Sequence, residues 1–247
     1  MNTEPTVTNR WHFRLKKILR FLLHMLLRIE AEGLERIASK GPVIVYFNHT
    51  NFLDPFVVAG IIDREVTVMG KKELFSIPIL GQVFRMYGVF PVRRAEGDLA
   101  AFRKALMVLR NGGLLILAPE GHRSGTGILQ RGKPGIMHLA LRTGAPIQPM
   151  VVLGCLPIYS NLLRLRRTPI RVIVGEAYYP RPSGLKPSRE ETQRMTDEAM
   201  YRLAALMPPP LRGVYDYDNV SSEADSFMSD CQASVPNCEN PLGGVLA

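Results

Sequence analysis

Pro42-Val43-Ile44-Val45-Tyr46-Phe47-Asn48-His49-Thr50-Asn51-Phe52-Leu53-Asp54-Pro55 is an apolar run that ends in an imidazole and, five residues later, a carboxylate. Five consecutive apolar residues rich in β-branched and aromatic side chains read as a strand buried on both faces. Asp54-Pro55 followed by Phe56-Val57-Val58-Ala59 reads as a helix start. Side chains five apart do not share a helix face, where neighbours lie three or four apart, so the pair belongs to the loop that joins strand to helix. A neutral imidazole titrates near neutral pH and can take a proton from a hydroxyl if its other ring nitrogen is held, a task that suits a carboxylate. The same letters also fit a plain helix cap, Asp before Pro at the first helical position, beside a structural histidine. Spacing alone does not choose between the two.

Three further segments bear on the choice. Gly88-Val89-Phe90-Pro91-Val92-Arg93-Arg94 ends a short strand in paired arginines, whose planar guanidinium forks suit a phosphate or carboxylate; a solvated basic turn is the plainer reading. Gly113-Leu114-Leu115-Ile116-Leu117-Ala118 is a second buried strand that runs into Pro119-Glu120-Gly121-His122-Arg123-Ser124-Gly125. Open α/β sheets place ligands at such strand ends. Gly144 to Val152 reads as a turn into another strand.

In these four blocks the chain resembles the glycerolipid acyltransferases, whose best-known members are the lysophosphatidic acid acyltransferases, over roughly residues 10 to 215. His49 to Asp54 matches the family's His-x-x-x-x-Asp block, and Arg94 stands at the arginine of the second. Pro119 to Ser124 matches a third block that usually reads Pro-Glu-Gly-Thr-Arg-Ser, with His122 in place of the threonine, and Pro146 to Val152 matches the fourth. The resemblance implies transfer of an acyl group from acyl-CoA or acyl-carrier protein to the free hydroxyl of a lysophospholipid, foremost 1-acylglycerol-3-phosphate, giving phosphatidic acid. His49 would be the base and Asp54 its orienting partner, with no acyl-enzyme. Arg94, Glu120, Gly121 and Arg123 would hold the acceptor. Glu120, an anion, is expected to hold a neighbouring arginine or accept from the glycerol, leaving the amides around Gly121 free. Another lysolipid, or glycerol-3-phosphate, is the alternative acceptor. No resident cofactor and no metal are expected.

Charge points toward anionic surfaces. The chain carries +9, yet residues 216–247 hold six acids and no Lys or Arg, which leaves +15 on residues 1–215. Such a basic face serves nucleic acid or anionic lipid. The N-terminus favours lipid. From Trp11 to Ile29, Trp11, Leu15, Ile18, Leu22, Met25, Leu26 and Ile29 fall on one helical face, and Arg10, Arg14, Lys17, His24 and Arg28 on the other. Arg20, His24 and Arg28 interrupt what would have to be about 20 apolar residues to span a bilayer. The expectation is a helix lying on the cytoplasmic face of a membrane, each Lys or Arg near the surface contributing roughly 1 kcal/mol. An ordinary amphipathic helix packed on the domain is the alternative.

The expected architecture is α/β, a single domain with a mixed, largely parallel central sheet flanked by helices. Residues 1–30 form the membrane-surface helix, 31–215 the acyltransferase domain, and 216–247 an acidic, disordered tail. Helices are expected at 53–62, 72–86 with a break near Pro78 and Gly81, 98–111, 134–143 and 188–206. Strands are expected at 42–47, 66–69, 88–92, 113–118, 147–153 and 170–175. Leu74 to Leu80, with Val83 and Phe84, reads as core or as an acyl-chain groove. Cys155 reads as a buried small hydrophobe, while Cys231 and Cys238 have no histidine nearby to complete a zinc site.

Other function classes fare worse. An esterase on this plan would want a Gly-x-Ser-x-Gly elbow, which is absent. A nucleic-acid binder would want aromatics among the basic residues. A non-catalytic membrane module would have no use for the His49 and Asp54 pair.

Overall fold

In the computed structural model, which describes residues 10–93, 98–184 and 186–216, seven strands form one sheet in the order β1-β7-β6-β2-β5-β3-β4. The strands are β1 (Leu27–Glu32), β2 (Val43–Phe47), β3 (Val66–Lys71), β4 (Val89–Val92), β5 (Leu114–Leu117), β6 (Ile147–Leu153) and β7 (Thr168–Val174). Every pairing is parallel except β6 with β7. The helices are α1 (Arg10–Leu26), α2 (Asp54–Ile61), α3 (Pro78–Tyr87), α4 (Leu99–Arg110), α5 (Gly135–Thr143), α6 (Ile158–Leu163) and α7 (Arg189–Ala205). The mixed, largely parallel α/β sheet is the one expected.

β2 lies at the centre between β5 and β6, and all five of its residues are buried. Covered on both faces, it can be apolar throughout, which is why it reads as a continuous run. Ile44, Tyr46 and Leu115 point to the core beneath α4, α5 and α7. Val43, Val45, Phe47, Leu114 and Ile116 point to the core beneath α1 and α2. Parallel alignment brings the C-terminal ends of β2 and β5 side by side, with Tyr46 opposite Leu117, so the loops carrying His49 and Glu120 meet.

The N-terminal segment departs from expectation. The helix ends at Leu26 rather than running on to Ile29, and Leu27–Glu32 instead forms the edge strand β1 against β7. Leu27-Arg28-Ile29-Glu30-Ala31-Glu32 alternates apolar and charged residues, and this period of two wins over the helical period that Leu26 and Ile29 would continue. The Arg167 side chain donates to the Leu27 carbonyl through Nε at 3.2 Å and Nη2 at 2.7 Å, fixing the junction. Ile158–Leu163 is a further helix that the sequence did not announce.

α1 docks by an unusual edge. His12 and Lys16 are buried, with Leu23, while Ile18, Phe21, Leu22 and Met25 are about half exposed or more. His12 Nδ1 bonds the Tyr87 carbonyl at the end of α3, and Lys16 Nζ donates to the Arg64 carbonyl at 2.6 Å. Arg20 Nε donates to the Gly60 carbonyl at 2.7 Å near the end of α2, and its Nη2 pairs with Asp63 at 3.1 Å. Helix C-termini present unpaired carbonyls and negative potential, so basic side chains are fitting partners for both ends. Trp11's side chain, Arg94 and the tail from residue 217 onward lie outside the described residues.

Candidate active site

β2 delivers Asn48 and His49, and α2 starts at Asp54. The Asn48 amide continues the β2–β6 ladder by side chain, donating to the Val152 carbonyl at 3.0 Å and accepting from the Val152 N–H at 2.8 Å. Asn51 Nδ2 donates to the Cys155 carbonyl at 3.1 Å. The loop is therefore tied to β6 before the chemistry begins. Asp54 is fully buried, and its Oδ2 lies 3.1 Å from His49 Nδ1. The same oxygen accepts from the N–H groups of Thr50 at 2.6 Å and Asn51 at 2.7 Å, so the carboxylate is held in place by the loop it starts from. With Nδ1–H donating to Asp54, Nε2 is left as the acceptor. The capping reading does not hold: Leu53 stands at the cap without a side-chain bond, Asp54 is the first helical residue, and its carboxylate turns back to the imidazole and to the N–H groups of Thr50 and Asn51.

Glu120 has a different task from the one expected. Its carboxylate meets no arginine among the described residues and lines neither cavity at His49. Oε1 accepts from the His49 N–H at 2.8 Å and Oε2 from the Gln130 N–H at 3.0 Å. Ser124 N–H closes the junction by donating to the His49 carbonyl at 2.8 Å. Burial pushes the Glu120 carboxyl up to about 7, against the pull of the two N–H donors, with the nearby Asp54 charge adding to the rise. Glu120 is a brace between the two loops. Gly121 N–H, expected to be free, donates to the Ala118 carbonyl at 3.1 Å.

His49 is shared by two cavities. One, of about 270 Å³, is walled by Leu15, Ile18 and Leu22 of α1, by Phe52, Phe56, Leu74, Val83 and Phe84, and by Lys71 and Arg123. The stretch around Leu74 thus divides: Phe75 is core, Leu74 and Val83 line a groove, and Phe84 is buried yet forms part of the groove wall. The other cavity, of about 320 Å³, is bounded by Val92, Arg93, Ala101 and Phe102 on one side and by Gly121, Lys133 and Leu139 on the other. Gly121 has φ +78, a conformation that favours glycine, and the Lys133 side chain lies over it, Nζ standing 2.7 Å from where a Cβ would be. His49, Asp54, Gly121 and Arg123 are thereby brought together; Arg94 falls outside the described residues. Lys71 and Lys133 were missed. Neither sits in a pattern that signals chemistry: Lys71 ends β3 and reaches the site through the order of strands, and Lys133 does so because the loop after β5 folds back, its N–H donating to the Pro119 carbonyl. No cluster of His, Cys, Asp and Glu among the described residues could hold a metal.

Proteins similar to this chain include acyltransferases. The family model described as Acyltransferase matches residues 28–153. A chloroplastic 1-acyl-sn-glycerol-3-phosphate acyltransferase, BAT2, of Brassica napus is 26% identical over 202 residues, 79% of this chain and 56% of that protein. A 1-acyl-sn-glycerol-3-phosphate acyltransferase of Cocos nucifera is 34% identical over 148 residues, 58% of this chain and 47% of its own length. The chain spans about half the length of these relatives. The crystal structure of the 1-acyl-sn-glycerophosphate acyltransferase PlsC from Thermotoga maritima superposes with a TM-score of 0.60 at 26% identity, covering 76% of each chain. Since the family model covers half of the chain and spans both strand-end loops that carry His49 and Glu120, this protein belongs to the acyltransferase family.

Proposed function

We propose that this protein moves an acyl group from a thioester, acyl-CoA or acyl-carrier protein, to the free hydroxyl of 1-acylglycerol-3-phosphate, giving phosphatidic acid. The observation that carries the reading is a buried His49–Asp54 pair in which His49 lines two cavities of different make. The acceptor oxygen attacks the thioester carbonyl carbon while its proton passes to His49 Nε2. Asp54 steadies the imidazolium that results, as the acid does in a hydrolase triad, except that the nucleophile belongs to the substrate. Collapse of the tetrahedral intermediate breaks the C–S bond, and the proton on Nε2 goes to the departing thiolate. The enzyme ends as it began, with no acyl group on the protein. Arg123 and Lys71, cations at the rim of the apolar cavity, suit the acceptor's phosphate. Arg94 is assigned to the same task on its motif.

The site of action is proposed to be a membrane surface. No helix among the described residues is long and apolar enough to cross a bilayer. α1 holds the protein with basic side chains and turns Ile18, Phe21, Leu22 and Met25 outward, the arrangement of a helix whose outer medium is apolar. The test of the reaction is an assay of purified protein with radiolabelled acyl donor and a panel of lysolipids. His49→Ala is expected to lose at least about a hundredfold in turnover with the substrates still bound. Turnover equal to that of the unaltered protein would remove His49 as the base.

A further inference from the structure

The two cavities at His49 differ in where they lead, and the difference sorts the two substrates; this step rests on the acyl-transfer reading. The smaller cavity is walled by Leu15, Ile18 and Leu22 of α1, beside that helix's exposed apolar face, so a lipid already in a membrane reaches His49 from there. The larger cavity touches no part of α1. Its mouth carries Arg93 and Lys133, both exposed and, among the described residues, both without an ion pair. Asp98, the acid on that wall, is occupied by backbone: Oδ1 accepts from Ala100 N at 3.1 Å and Ala101 N at 3.0 Å, and Oδ2 from Arg93 N at 3.0 Å. The Asp98 charge also acts on Arg93, so Lys133 is the principal cation offered to an incoming anion, with Arg93 shared between Asp98 and that anion. Lys133 is also aimed, since its main-chain N–H donates to the Pro119 carbonyl at 2.9 Å and its ammonium passes over the bare Cα of Gly121.

We propose that this larger cavity takes the acyl donor, its phosphopantetheine arm threading past Phe102 to His49 and its phosphate held by Lys133 and Arg93, while the lysolipid occupies the cavity beneath α1. The thiol released when the C–S bond breaks leaves by the same route, away from the membrane. Coenzyme A and acyl-carrier protein present the same arm with the same phosphate, and the experiment separates them.

Lys133→Glu and Arg93→Glu are assayed in the full chain with matched acyl-CoA and acyl-carrier protein donors, and Arg123→Ala alongside. The charge reversals are expected to raise the donor KM about tenfold or more and to change the lysolipid KM less than about twofold; Arg123→Ala is expected to do the opposite. A rise with both donors marks the shared phosphate as the ligand, and a rise with one marks that donor as the natural source. A rise in lysolipid KM instead, or no change in donor KM, overturns the assignment. Desulfo-CoA, which cannot react, gives a readout independent of turnover. By calorimetry it should bind the unaltered protein and His49→Ala alike, and Lys133→Glu about tenfold more weakly. If the unaltered protein binds no desulfo-CoA, holo-carrier protein replaces it in the same titration, and failure of both overturns the site. Binding through Lys133 in a protein that acylates no lysolipid would keep this site and remove the activity. Acylation with desulfo-CoA binding untouched by Lys133→Glu would do the reverse.

Discussion

α1 and α7 are both helices of 17 residues, and they meet the protein in opposite ways. α7 buries Met195, Ala199, Met200, Leu203 and Ala204 in the core beneath the sheet; Arg189, Glu190 and Arg194 face water, and the half-buried Glu198 and Arg202 pair with each other. Its buried hydroxyls are satisfied within the helix, Thr196 Oγ1 donating to the Thr192 carbonyl at 2.8 Å. α1 buries Leu23 and packs Leu15 and Leu19 on the core, but beside them it buries His12 and Lys16, which bond carbonyls of other elements, and it leaves a row of large apolar side chains outside. The ordinary rule, apolar side to the core, holds for α7 and only in part for α1, where Leu15, Leu19 and Leu23 face the core and Ile18, Phe21, Leu22 and Met25 do not. A helix that spends polar side chains on docking and keeps a second apolar face uncovered is stable where that face meets something other than water.

The largest effect expected from this contrast is on membrane affinity. Ile18→Glu, Leu22→Glu and Met25→Glu together put three charges on the outer face of α1. Burial of each large apolar side chain is worth roughly 1.5–3 kcal/mol, so binding to anionic vesicles in a co-sedimentation assay should fall at least about a hundredfold. Because these residues are largely exposed in the protein, thermal stability in solution should hardly move. Retained vesicle binding would mean that the exposed row is not the contact surface. The next effect separates the helices by stability. Leu203→Ala in α7 removes a fully buried side chain and should cost about 2–5 kcal/mol by urea unfolding. Leu22→Ala in α1 should stay within about 0.5 kcal/mol. Equal costs would say that Leu22 packs as core and that the two helices are alike after all.

The same contrast marks what the sequence could reveal. β2 and β5 are legible almost to the residue, 42–47 against Val43–Phe47 and 113–118 against Leu114–Leu117, because a strand buried on both faces needs no partner to be recognised. The His49–Asp54 contact is legible because both residues lie in one short loop. α1 is legible only in part. Its apolar residues group on one face as expected, yet which face touches the protein depends on carbonyls 40 to 75 residues away, a distance no local pattern reports. Glu120 failed for a related reason: charge matching suggested an arginine, whereas a buried loop first has its own N–H groups to satisfy.

The smallest effect tests how α1 is held. Burial lowers the Lys16 ammonium from 10.5 to about 8, with Arg20 lowering it further and Asp63 and Glu65 pulling the other way. Below pH 8 the group is charged in both folded and unfolded chains, and the full penalty of burying it stands. Between about 8 and 10.5 the folded protein has released a proton that the unfolded chain still binds, so stability rises with pH across that window, by at most about 3 kcal/mol. Lys16→Met keeps the stem and removes the charge. It should cancel that rise, so its stability relative to the unaltered protein is greatest at pH 7 and shrinks toward pH 10, less about 1 kcal/mol throughout for the lost bond to Arg64. Met200→Leu in α7, which changes no titrating group, should run parallel to the unaltered protein at every pH. Urea unfolding at pH 7, 8.5 and 10 distinguishes the cases; parallel curves for Lys16→Met would show that the ammonium reaches water and that α1 rests on its leucines instead.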